Sequence, residues 1–214
     1  MSPPRHSKAI QHLRQADPRL AAGIDRIGPC RLERLDHGST FEALARSIAY
    51  QQLSGKAAGT IYGRFLKRYG DGKRPDPGKV SRCQLRGLRS VGFSQGKARY
   101  IRGLAQAAVL GDLAEEETLH ALTDQEVIDQ LTPHLGVGVW TVQMLLIFWL
   151  NRPDVLAPND LGIQKGVQFI DELGEVPDAK TTEARGHPWG PHRSVASWYL
   201  WRLSDLADSL KRKK

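Results

Sequence analysis

Apolar residues recur along this chain at the spacing of a helix face, and no segment alternates apolar and polar positions long enough to read as a strand. Ser39 with Glu42 has the spacing of a capping box, and Phe41, Leu44, Ala45 and Ile48 follow on one face. That helix ends near the stretch YQQLSG (Tyr50 to Gly55). Ser54 is placed to cap the next one, whose stripe is Ile61, Tyr62, Phe65 and Tyr69 and whose stop is Gly70. DGKRPDPGK, Asp71 to Lys79, reads as a loop by its Pro and Gly content. A short helix around Leu85 leads through the turn SVGFSQGK into a helix ending near Leu110, with Lys97, Arg99 and Arg102 on its outward face. Thr123 and Glu126 open another short helix that closes near Leu131.

Next comes HLGVGVWTVQMLLIFWL, His134 to Leu150, in which a Gly-Val-Gly turn stands before a helix that is apolar nearly all round and is therefore expected to be buried. Asn151 to Asp160 is a loop, and Asp160 opens the following helix. GHPWGPH, Gly186 to His192, is a rigid loop. The last helix runs from Ser194 to about Leu210 with an apolar stripe of Val195, Tyr199, Leu203, Leu206 and Leu210. Trp201 lies off that stripe, among Ser194, Ser197, Asp205 and Asp208. Residues up to about Ala9 and beyond about Leu210 are expected to fray. The pattern predicts an all-α protein.

A chain of 214 residues with 40% hydrophobic and 25% charged residues can bury a substantial core without staples. The longest clean apolar run, Met144 to Leu150, is about a third of a membrane span, so no membrane partner is expected. The start, MSPPRHSKAI, has no apolar segment of the signal-peptide type. Two cysteines, Cys30 and Cys83, cannot build a four-cysteine zinc or iron–sulfur site and fit a reducing compartment. The net charge of +8 is compatible with solubility alone, but its spread over Lys67 and Arg68, Lys73 and Arg74, Lys97 to Arg102 and the KRKK tail suits contacts along a polyanion groove.

Three features carry chemistry, and each has a plain structural alternative. The Gly136-Val137-Gly138 turn can be a tight helix connection; it can also let a phosphate approach the backbone, where the N–H groups opening the next helix point at it. It is no dinucleotide fingerprint, since the third glycine and a preceding strand are missing. Asp160 can be an ordinary N-cap or a carboxylate brought back to the hairpin by a loop of about ten residues. Trp140, Met144 and Ile147 share one line of a helix, which suits core packing as well as a pocket wall, and a Trp201 among small and acidic residues can pack on a neighbour or line a cleft.

The order H-L-G-V-G, W-T, apolar helix, Pro-containing loop and P-N-D-L-G resembles the helix-hairpin-helix DNA glycosylases, and within them the AlkA-type 3-methyladenine DNA glycosylases. SIAYQQLSGKAA (Ser47 to Ala58), LRSVGFSQGKARYIRGLA (Leu88 to Ala105) and WGPHRSVASWYLWR (Trp189 to Arg202) extend the resemblance over about residues 40 to 205. It implies two helical subdomains, about 46–150 with the hairpin and about 10–45 plus 151–210, with the active site in the cleft between them and no N-terminal β subdomain. It implies double-stranded DNA with alkylated bases as partner and Asp160 as the catalytic carboxylate; a monomer is expected. Trp140, Met144 and Trp201, with Tyr50 as a further wall, would line the pocket for a flipped base. Leu135, Gly136, Val137, Gly138 and Thr141 would contact DNA together with Lys97, and Gln95, Phe93 or Gln52 would plug the vacated duplex. The hairpin carbonyls of Leu135 and Gly138 would suit a monovalent cation, Na+ or K+, with no other cofactor and no metal held by side chains. The protein would work at the nucleoid in a bacterial cytoplasm or in a eukaryotic nucleus.

The chemistry implied is coherent. Hydrolysis of an N-glycosidic bond builds positive charge on the sugar, which a fixed carboxylate stabilises while it orients water. A base within a duplex must be extruded first. Alkylation at a purine ring nitrogen makes the base cationic, and Trp faces attract such a ring. Superfamily members that also cut the strand carry a lysine second after the last hairpin glycine. Trp140 stands there, so a monofunctional hydrolase is expected. The alternative is a non-catalytic helix-hairpin-helix DNA-binding protein, which needs neither Asp160 nor the two tryptophans. The lesion, whether 3-methyladenine, 7-methylguanine, an etheno adduct or a deaminated purine, is left open by the sequence.

Overall fold

The structure, a computed structural model, describes residues 6–53 and 55–211. The helices are α1 (Ser7–Ala16), α2 (Pro18–Ile27), α3 (Thr40–Tyr50), α4 (Gly55–Tyr69), α5 (Pro77–Arg82), α6 (Leu85–Ser90) and α7 (Gln95–Leu110). They continue as α8 (Glu116–Ala121), α9 (Asp124–Leu131), α10 (Val139–Phe148), α11 (Leu161–Asp171), α12 (Ala179–Arg185) and α13 (Arg193–Lys211), with a 3₁₀ turn at His187–Trp189. The only β pairing among the described residues is an isolated bridge between Gly70 and Pro75, so the protein is all-α as its pattern predicts. The described residues form two compact units, one within 34–150 and the other within 6–33 and 151–211. Residues 34–45 belong to the first of these and not, as the sequence division has it, with the termini.

In the 34–150 unit, α3 packs against α4, α7 and α10 and is buried nearly all round. Its start is only half a capping box. Ser39 Oγ accepts from the Glu42 N–H at 3.2 Å, but the Glu42 carboxylate accepts from the Gly38 N–H at 2.9 Å instead of from Ser39. The box of Thr123 and Glu126 at α9 is complete. On α4, Tyr62, Phe65 and Tyr69 are buried with ring centroids 5.8 Å apart, whereas Ile61 is half-buried. The expected cap Ser54 lies outside the described residues. The loop after Gly70 ends at Asp76, where that carboxylate caps the N–H of Lys79 and Pro77 takes the first helical position. The apolar helix α10 is buried as expected, and Leu35 N–H bonds Phe148 O at 2.7 Å, fastening the entry segment to its end.

In the other unit, α13 is the spine. Its stripe residues Val195, Tyr199 and Leu203 are buried, yet so are Ser194 and Ser197, whose hydroxyls donate to Arg152 O at 2.6 Å and Val155 O at 3.3 Å in the preceding loop, and Leu200, which α11 covers. Gly166 makes that approach possible: a Cβ there would stand 2.4 Å from the Leu200 carbonyl oxygen. The N-terminal helices are tied in by Asp17. One of its oxygens caps α2 through the N–H groups of Arg19 and Leu20, and the other accepts from Trp189 Nε1 at 2.7 Å and Arg185 at 2.6 Å. Arg185 also grips Asp171 with two bonds, at 2.7 and 3.1 Å. Asp171 is therefore an anchor with a side chain only 9% exposed, whereas Glu172 is exposed. Ordered helix also extends beyond the expected fraying points, starting at Ser7, with Ala9 buried, and ending at Lys211.

Candidate functional site

The hairpin joins α9 to α10, and its two glycines have different reasons to be glycine. Gly136 has φ +87°, and a Cβ on it would fall 2.3 Å from the Tyr100 ring, so both backbone and space require it. Gly138 is extended, with φ −95°, and a Cβ there would meet nothing within 4 Å; its side faces open space. The first helical bond of α10 runs from the Val142 N–H to Gly138 O, which places the N–H groups of residues 139 to 141 in the opening turn, where an anion is favoured. Leu135 and Val139 are exposed beside Gly138. Val137 and Thr141 are not: Val137 is buried, and Thr141 Oγ1 accepts from Gln51 Nε2 at 3.0 Å. Only their backbones can serve a phosphate; their side chains hold the hairpin to the core.

Two further sequence candidates are turned inward. Phe93 is buried edge-on against Phe65, with centroids 5.4 Å apart, because the turn before α7 folds over α4. It is not available to enter a duplex. Lys97 does not face outward either. Its Nζ donates to Ala49 O at 3.1 Å and Gln51 O at 2.6 Å, satisfying carbonyls at the end of α3, and burial pulls its pKa below the ordinary lysine value. The remaining candidates stay at the surface, Gln95 at the start of α7 and Gln52 in the turn after α3, where Gln52 has φ +54°.

Tyr50, Trp140 and Met144 do come together. They line a recess of about 160 Å3 whose walls also include Leu35, Phe148 and Trp149. Ile147, on the same sequence line, is not part of it and is buried in the core. Arg46 and His37 also line the recess, and neither carries a signal in the sequence pattern taken alone. Arg46 stands one turn before Tyr50 on α3, with its guanidinium carbon 4.4 Å from the Tyr50 centroid. That i, i+4 pair is the sequence signal that could have found it.

Asp160 and Trp201 lie in the other unit. Asp160 is the N-cap of α11, its Oδ1 accepting from the Ile163 N–H at 3.0 Å. The same oxygen accepts from Trp201 Nε1 at 2.8 Å. Trp201 is thus not a loose aromatic wall: its indole packs on the first turn of α11, where a Cβ on Gly162 would lie 2.7 Å from the ring. Capping requires the first bond only. The second orients a half-buried carboxylate, a larger investment of structure than a helix cap needs.

HhH-GPD superfamily base excision DNA repair proteins match residues 45–191, and the chain belongs to that family. It is 34% identical over 206 residues to DNA-3-methyladenine glycosylase 1 of Schizosaccharomyces pombe, which covers 96% of this chain and 90% of that protein. Among solved structures, the 3-methyladenine DNA glycosylase of Schizosaccharomyces pombe in complex with abasic DNA is similar with a TM-score of 0.89 and 34% identity, covering 94% of this chain and 98% of that one. The DNA-3-methyladenine glycosidase of Bacillus halodurans gives a TM-score of 0.79 and 33% identity, over 95% and 92% of the two chains.

Proposed function

We propose that this protein is a monofunctional DNA glycosylase that removes alkylated purines, of the 3-methyladenine and 7-methylguanine type, from double-stranded DNA in base excision repair. The observation that carries the reading is Asp160, whose Oδ1 takes a helix-capping N–H and the Trp201 indole together. The names of the relatives support the same substrate class. In the reaction the C1′–N bond breaks and its electron pair leaves with the base. The Asp160 carboxylate stabilises the cationic sugar, and water adds to C1′ and gives its proton to Asp160 or to solvent. The base is flipped from the duplex beforehand and received by Trp140, Met144 and Tyr50, while Gln95 or Gln52 fills the vacated stack. The opening turn of α10 holds a backbone phosphate and reads no sequence. The carbonyls of Leu135 and Gly138 would hold a monovalent cation there; Gly138 O already accepts from the Val142 N–H and keeps a second lone pair for it.

Trp140 occupies the position at which strand-cutting relatives need an amine, so the product is an abasic strand left intact. Incubation with alkylated duplex and chromatography of the supernatant tests this. Free methylated purines should appear, and the strand should break only after alkali. Tight binding to that duplex without release of any base would replace the reading with a non-catalytic DNA-binding role. Borohydride trapping of a protein–DNA adduct would overturn the monofunctional assignment.

A further inference from the structure

We infer that His37 determines which purines the recess of Tyr50, Trp140 and Met144 takes: its Nε2 accepts a hydrogen bond from the N–H edge of a methylated purine and discriminates against adducts that have lost that edge, of the 1,N6-etheno type. The inference rests on the glycosylase reading and names the substrate class within it. His37 lines the recess, and its side chain is only 8% exposed. Its Nδ1 stands 3.4 Å from a Glu42 oxygen. Among the described residues nothing bonds Nε2, yet that nitrogen is not one of the sealed polar atoms of the interior. A buried ring with one nitrogen held by a carboxylate and the other still reached by solvent presents Nε2 to the recess that it lines.

Backbone bonds fix the ring in place. The His37 N–H bonds Leu35 O at 3.1 Å, and Trp149 Nε1 donates to His37 O at 3.2 Å. Glu42 is fixed as well, since its other oxygen accepts from the Gly38 N–H at 2.9 Å and stands 4.0 Å from Arg74. A carboxylate at Nδ1 selects the imidazole tautomer with its proton there, which leaves Nε2 an acceptor. The other polar side chains of the recess do not discriminate in this way. The Ser47 and Tyr50 hydroxyls turn to donate or to accept, and the Arg46 guanidinium, stacked on Tyr50, only donates. Methylation that makes a purine cationic also sharpens its N–H donors. 3-Methyladenine offers its N6 amine and 7-methylguanine its N1 and N2 groups, and a hydrogen bond from a charged donor is about twice as strong as a neutral one. In 1,N6-ethenoadenine, N1 and N6 are closed into a further ring. No N–H remains on that edge, and Nε2 would face a lone pair or a C–H group.

Single-turnover release is measured from duplexes carrying 7-methylguanine or 1,N6-ethenoadenine, with the wild type, His37→Phe and Glu42→Gln. His37→Phe keeps a ring and removes the acceptor, so the ratio of the methylguanine rate to the ethenoadenine rate should fall about tenfold, the scale of one hydrogen bond to a charged group. Glu42→Gln keeps an oxygen for the Gly38 N–H and turns its amide N–H toward Nδ1. The ring proton then moves to Nε2, and the ratio should fall again. Equal losses on both bases would make His37 a packing residue and overturn the inference; a ratio that rises would overturn it by showing that Nε2 donates. A further measurement needs no release of ethenoadenine. As inhibitors of methylguanine release by the wild type, free 3-methyladenine should act at a lower concentration than free 1,N6-ethenoadenine, and His37→Phe should erase the difference. A difference that survives in the variant, or one of opposite sign in the wild type, would overturn the inference. Release of neither base by the wild type would instead overturn the glycosylase reading, a result distinct from an unmoved ratio.

Discussion

Trp201 donates its indole N–H to Oδ1 of Asp160 at 2.8 Å, joining two side chains 41 residues apart in sequence but packed together where α13 crosses the first turn of α11. The bond converts a tryptophan that sequence spacing offers as a pocket wall into a group that positions a carboxylate. Trp201→Phe keeps the ring and removes only the donor. Because a hydrogen bond to a charged group is worth about 1.5–3 kcal/mol, kcat should fall about tenfold to a hundredfold with KM little changed. The loss should be equal for cationic and neutral bases. A loss confined to cationic bases in steady-state assays would show that the ring acts as a sensor of charge and not through Asp160.

The hairpin offers a clean separation of folding from binding. Gly138→Leu places a side chain into open space at the mouth of α10, so the melting temperature should hold while affinity falls alike for undamaged and abasic duplexes. Gly136→Ala forces a Cβ toward Tyr100 at φ +87° and should lower the melting temperature first. Unchanged affinity in Gly138→Leu, read by fluorescence anisotropy, would make the hairpin a turn and nothing more.

Lys97 separates two readings of the same residue. As a phosphate contact, its replacement would reduce the slope of log K against log salt by about 0.9. As a brace on the carbonyls of Ala49 and Gln51, its replacement should leave that slope unchanged and lower the stability of the 34–150 unit. Lys97→Met, titrated with duplex at several salt concentrations and melted in parallel, distinguishes them; the structure favours the second outcome.

Much of this site was legible in the sequence because it obeys local rules. Asp160 stands where an N-cap should, the hairpin is contiguous, and Trp140 with Met144 follows helical spacing, so each could be placed without knowing what lies across from it. What stayed hidden depends on contacts between distant segments. A lysine in the first turn of α7 reads as a solvated charge until the end of α3 is seen above it. Phe93 reads as an exposed turn residue until Phe65 is beside it. The face of α13 that carries Leu200 and Trp201 lies off the apolar stripe, and the helix that covers it does so through Gly162 and Gly166, which leave no apolar signature. Arg46 stands beside the strong core stripe of α3, and a charged residue there carries no local signal except its i, i+4 pairing with Tyr50.

The Asp17 network gives a stability prediction with a pH sign. Burial alone would raise the Asp17 carboxyl, but Arg185, Trp189 and the Leu20 N–H together hold it below its ordinary value. A carboxyl depressed in the folded state contributes stability that is complete above its unfolded value and is lost as pH falls through the folded one. The wild type should therefore lose stability on acidification below the ordinary carboxylate range of about pH 4. Asp17→Asn keeps the cap but turns an amide donor toward the Trp189 and Arg185 donors, at a cost of about 1.5–3 kcal/mol near neutrality that narrows in acid, while Arg185 keeps Asp171. Denaturant melts at pH 7 and pH 3 check this; an equal difference at both would show that the charge of Asp17 is not what matters.

The central claim is that Asp160 assists the hydrolysis, and Asp160→Asn tests it most directly. Asparagine also caps helices and its side-chain oxygen can still accept from Ile163 and Trp201, so the fold and DNA binding should persist. The measurement is single-turnover release of 3-methyladenine from alkylated duplex by the variant, beside its affinity for an abasic-site analogue. Release reduced to the spontaneous rate, with affinity retained, is the expected result. Release at the wild-type rate would contradict the account, leaving Asp160 as a helix cap and the chemistry to another group.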